Sequence, residues 1–122
     1  MQKLPNFNSV KPSDGGFEKL QPGGYVCVIE TVKDVPEKQY LKITFDIAEG
    51  EHAGYFADGE RQFGSWPFEG TMYRSYKESA LPMFKAFIEA VDASNDTDYA
   101  TLISEGTFKE GKLEGKKIGL IL

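Results

Sequence analysis

The chain is predicted to fold as a mainly β domain, a small barrel with one main α-helix that lacks its last strand. Three observations predict it. Leu41, Ile43, Phe45 and Ile47 alternate with Tyr40, Lys42, Thr44 and Asp46, the period of a strand with one apolar face. Phe84, Phe87, Ile88 and Val91 recur at helical spacing, a single apolar stripe of the width that plugs an open barrel end. Finally, the chain closes on Lys116-Lys117-Ile118-Gly119-Leu120-Ile121-Leu122, a strand with no further strand after it.

Residues 1–15 hold two prolines, two asparagines and few periodic apolar positions, and are expected to form a partly disordered arm. The barrel domain is expected over 16–122. Gln21-Pro22-Gly23-Gly24 is a turn signal, followed by a β-branched strand over Tyr25–Lys33 that reads as apolar on both faces. Asp34-Val35-Pro36-Glu37-Lys38 turns the chain into the alternating strand, whose outer face should carry Tyr40, Lys42, Thr44 and Asp46. Gly50 and Gly54 flank a polar turn, after which a second strand is expected to restart at Tyr55-Phe56. Residues 57–70, with three glycines, a proline and three large aromatics, read as a long hairpin tip or an insertion. Thr71–Tyr76 resumes a strand.

The main helix is expected over about 80–92, with Ser79 as its cap and Pro82 in its first turn. A short second helix should follow from Asp98 to about Glu105, capped by Thr97 and ended by Gly106. Phe108–Gly115 is a polar loop or hairpin. The apolar terminal strand is an edge that invites pairing, so the expectation is either a shortened chain or an edge covered by a partner strand or a second copy at Ile118–Leu122.

The length of 122 residues suits one domain. The single cysteine, Cys27, leaves no internal disulfide and reads as a buried, inert thiol in an intracellular protein. Neither a signal peptide nor a membrane-spanning run is evident. A net charge of −5 argues against a uniformly basic nucleic-acid binder, so any phosphate-binding surface must be a local stripe.

Catalytic groups do not converge. His52 is the only histidine and sits in a turn beside Glu49 and Glu51, where neighbouring residues rarely meet on one ion. Nineteen acidic residues make chance carboxylate pairs expected, and neither a nucleophile elbow nor a phosphate loop occurs. The expectation is a protein that is not an enzyme and needs no metal or cofactor.

A binding surface is better supported, because aromatic side chains interleave with cations. Bases stack on aromatic rings while lysine and arginine track the phosphates. The candidate stacking residues are Tyr40, Tyr55, Phe56, Trp66, Phe68, Tyr73 and Tyr76. Candidate phosphate partners are Lys33, Lys38, Lys42, Arg61, Arg74 and Lys77, and the run Tyr73-Arg74-Ser75-Tyr76-Lys77 is the densest cluster. For each residue alone a structural role is the plainer reading; Trp66 and Phe68 in particular can fold their own loop onto the barrel.

The element order, strands then a helix then a late strand, matches an OB-type barrel. Phe17-Glu18-Lys19-Leu20-Gln21-Pro22-Gly23-Gly24-Tyr25, Tyr40–Phe45 with Glu49-Gly50 and Gly54, and Leu113-Glu114-Gly115-Lys116-Lys117-Ile118-Gly119 together resemble a phage and prophage OB-fold family of unknown function. The resemblance spans most of 17–122 and rests on short, glycine-rich motifs. It implies a single-stranded-DNA-binding protein of replication or recombination, located in the cytoplasm of a bacterial host cell. The absent fifth strand and the aromatic segment around Trp66 depart from the family pattern. The alternative reading is a protein-interaction module that pairs through its terminal strand.

Overall fold

Alternation places one face of a strand against the core. In β2 (Tyr40–Ile47), Leu41, Ile43, Phe45 and Ile47 are all buried, while Lys42 is exposed and Thr44 half-buried on the other side. The computed structural model describes Lys3 and residues 19–122. Apart from Lys3, the arm expected over 1–15 lies outside the described residues.

β1 (Gly24–Val35) is longer than its sequence pattern suggested and pairs antiparallel with two neighbours. Its first half pairs with β4 (Lys117–Ile121) and its second half with β2 alone. Between them, at Glu30, the register against β2 shifts. An extra residue of this kind bends the strand and raises its twist, which lets one strand serve both sides of a curled sheet. Contrary to expectation, β1 buries one face only: Cys27 and Ile29 are fully buried, whereas Val26 is exposed.

With β3 (Thr71–Ser75), the sheet order is β3-β2-β1-β4. The four antiparallel strands curl into a half-barrel, an incomplete OB-like barrel whose edges are β3 and β4 among the described residues. α2 (Leu81–Asn95) lies across the seam between those edges and buries Phe84, Phe87, Ile88 and Val91 against the sheet, as the helical stripe predicted. It continues beyond 92 to Asn95, and Asp96 ends it in the left-handed conformation at φ 55°. Ser79 does not cap it: Glu78–Ala80 forms a 3-10 turn that leads into the helix, and its start carries no side-chain cap.

Two carboxylates organise the remaining helices. The expected second strand at Tyr55-Phe56 is instead α1 (Tyr55–Phe63). Asp46, expected on the solvent face, is buried; its Oδ1 accepts from Ile47 N at 2.8 Å and Phe56 N at 2.7 Å, and Oδ2 from Ala57 N at 3.2 Å. It thereby satisfies the first-turn amides that a helix leaves without partners. Gly54 enters α1 at φ 81°, a conformation that favours glycine. Asp92 plays the same part for α3 (Tyr99–Ser104), accepting from Tyr99 N at 2.8 Å and Ala100 N at 3.0 Å. Asp98, rather than Thr97, is the N-cap of α3, and Thr97 Oγ1 donates to Asp92 instead. No helix among the described residues is long and apolar enough to cross a membrane.

Candidate nucleic-acid interface

Strand register decides which candidate residues meet. Lys33 on β1, Lys42 on β2 and Tyr73 on β3 form one row across the sheet, and Val35, Tyr40 and Ser75 form the next. These rows alternate with the buried positions of β2, so they share its solvent face. On that face the Tyr40 and Tyr73 rings meet edge to face, with centroids 5.1 Å apart at 79°. Lys33 and Lys42 are exposed and directly opposed. Acidic partners exist for Arg61, Lys85 and Lys117, but for neither Lys33 nor Lys42 among the described residues.

The densest cluster in the sequence is split by the pleat. Arg74 follows Tyr73 and therefore points to the opposite face, where its guanidinium lies 5.3 Å from the Phe87 ring centroid on α2. Burial there lowers its pKa from the usual arginine value. Tyr76 also serves the fold. Its hydroxyl donates to Asp34 Oδ1 at 2.7 Å, its ring meets Phe84, and the phenol pKa is pushed up to about 12, chiefly because Asp34 accepts that proton. Lys77 is exposed just beyond β3.

A second aromatic group gathers around α1. Tyr55, Phe63, Trp66 and Phe68 line a cavity of about 830 Å³ together with Leu20, Pro22 and Leu122. Trp66 folds its loop down: it is half-buried, its Nε1 donates to Gly70 O at 2.9 Å, and it packs where a side chain on Gly70 would otherwise sit. Phe68 is 78% exposed. Arg61 is exposed on α1 and paired with Asp58. The thirteen candidates thus separate: Lys33, Tyr40, Lys42 and Tyr73 lie on the open sheet face; Tyr55, Arg61, Trp66 and Phe68 on or near α1; and Arg74, Tyr76 and Lys77 on or beside the end of β3. Lys38 is exposed in the turn before β2, and Phe56, expected as a stacking residue, is buried in the core against Phe45.

One candidate gains its place only from the register, and one residue outside the candidate set shapes these surfaces. Lys33 was one lysine among several in the sequence, and only the register places it opposite Lys42. Asp46 looked like a solvent-facing strand residue, and its alternation with apolar positions gave no signal of its capping role. His52 is half-buried between Tyr25 and Tyr55, with ring centroids 6.4 Å and 6.3 Å away. Among the described residues, no group of three or more His, Cys, Asp or Glu side chains is placed to hold a metal ion. Cys27 is fully buried, and burial, aided by Asp46, pushes its thiol up to about 11.

No protein-family model, no curated protein and no solved structure matches this chain.

Proposed function

We propose that the protein binds single-stranded DNA without catalysis, in phage or prophage replication or recombination, in the cytoplasm of a bacterial host cell. One observation carries the reading: Tyr40, Tyr73, Lys33 and Lys42 stand together on the open face of the half-barrel, the two lysines without acidic partners among the described residues. An exposed ring offers a π-face to any unpaired base, and an unpaired lysine offers charge to the phosphates beside it. The curled three-strand surface has the shape on which OB-type barrels hold extended strands. Binding of this kind is largely indifferent to base sequence and weakens as salt rises.

Fluorescence anisotropy of labelled oligo-dT at low and moderate salt tests the reading. Salt-sensitive binding is expected, weakened about tenfold or more by Tyr73→Ala, since one base stack contributes roughly 1–3 kcal/mol. No binding at low salt overturns it.

A second reading, strand addition at β4, is favoured by a separate observation. Leu122 and Gly23 exchange backbone hydrogen bonds, so alternation turns the N–H and C=O groups of Gly119 and Ile121 away from β1. They have no partner among the described residues, and Ile121 is 88% exposed. A mass that rises with concentration in light scattering supports pairing through this edge; a constant monomer mass counts against a second copy there.

A further inference from the structure

Lys33, Lys42 and Tyr73 form one row across the sheet, with the ring of Tyr40 against that of Tyr73. Like charges directly opposed across a strand pair destabilise a sheet. Lys33 and Lys42 hold that arrangement in a chain with 19 acidic side chains against 14 basic ones, and none of the acids in the described residues pairs with either. Such a pair is suited to an anion supplied from outside. The second observation is independent of charge. Rings set at 79° cannot both lie parallel to consecutive stacked bases of one strand. Tyr73 is 44% exposed and Tyr40 half-buried, so Tyr73 is the ring that faces a ligand and Tyr40 the ring that braces it.

We infer that each copy takes one base together with the phosphates that flank it. Tyr73 is the platform for the base, Tyr40 is the positioning residue that fixes the Tyr73 ring, and Lys33 and Lys42 hold the phosphates. This rests on the reading that the face binds single strands, and it goes further by limiting the contact to one nucleotide unit and by giving each of the four residues a separate role in it.

The test compares oligo-dT of three and fifteen nucleotides across a salt series with the intact protein. Each phosphate held on a single strand contributes about −0.7 to the slope of log affinity against log salt, so two lysines set a slope of about −1.4. The short strand should bind as tightly as the long one, apart from the statistical gain of overlapping registers. Lys33→Ala and Lys42→Ala should each make the slope shallower by about 0.7. Tyr73→Ala and the bulk-preserving Tyr73→Leu should lower affinity about tenfold with the slope unchanged. Tyr40→Ala should weaken binding and Tyr40→Phe restore it, because the braced ring needs no hydroxyl. Arg61→Ala, off this face, should change nothing.

Binding to the long strand with a slope steeper than about −3, or a slope untouched by Lys33→Ala, overturns the one-nucleotide site and leaves the single-strand reading standing. Failure of both oligonucleotides to bind at low salt overturns the reading itself, and the inference with it.

Discussion

Asn95, in the last turn of α2, brackets the backbone of Lys117 at the start of β4. Its Oδ1 accepts from Lys117 N at 2.8 Å, and its Nδ2 donates to Lys117 O at 2.8 Å and to Val91 O at 2.8 Å. A side-chain amide carries one acceptor and two donors, so it substitutes for a neighbouring strand over one residue. The helix that crosses the seam is tied to an edge of the half-barrel by this amide. On the opposite edge, Arg74 over Phe87 makes the corresponding contact.

Asn95→Ala should therefore lower stability by about 1–2 kcal/mol, from hydrogen bonds contributing roughly 0.5–1.5 kcal/mol each in a partly exposed site. It also bares another pair of edge groups on β4, so the variant should associate more readily than the parent protein. Urea denaturation and light scattering measure the two effects.

Asp46→Ala should cost more, about 2–4 kcal/mol, because it leaves the amides of Ile47 and Phe56 buried without acceptors. α1 should loosen first, seen as faster amide exchange at Phe56 and Ala57. Asp46→Asn, which keeps one acceptor oxygen, should fall between the two.

Stability should fall in acid partly through Asp92. Burial pushes its carboxyl up, but the hydrogen bonds from Thr97 Oγ1, Tyr99 N and Ala100 N outweigh burial and hold it below the ordinary aspartate value. A carboxyl depressed in the folded state adds stability that is complete above its unfolded pKa. That stability is lost as pH falls through the lowered folded value. Asp92→Asn should lower stability at neutral pH and flatten its decline below about pH 4, the region where an unfolded aspartate titrates. Urea midpoints at neutral and acid pH report both.

Gly70→Ala tests how tightly the Trp66 loop is held. A Cβ at Gly70 would stand 2.7 Å from Trp66 Nε1 and 2.8 Å from Phe56 Cγ, closer than real contacts allow. Overpacking of this kind costs about 1–3 kcal/mol. Trp66 is the only tryptophan, so its displacement should appear as a red shift of emission. An unchanged spectrum and midpoint would mean that the loop adjusts freely.

Local pattern alone determined the elements that bury a regular face. Leu41 to Ile47 could only be a strand with one side inward, and Phe84 to Val91 only a helix with one stripe inward, because burial enforces those periods. What tertiary structure decided is where short or mixed segments went. Tyr55-Phe56 is too brief to show a period, and it became helical because Asp46, ten residues earlier, supplies the acceptors for its first turn. The aromatic and basic residues after residue 70 looked like one cluster, yet the pleat sends Tyr73 and Arg74 to opposite faces, and a hydrogen bond to Asp34 draws Tyr76 into the fold. Lys33 and Lys42 meet only because the turn after Val35 and the shift at Glu30 set one register among several. Residue type and spacing determine which faces are apolar; which polar side chains become neighbours depends on contacts between distant parts of the chain, and those exist only once the sheet has curled.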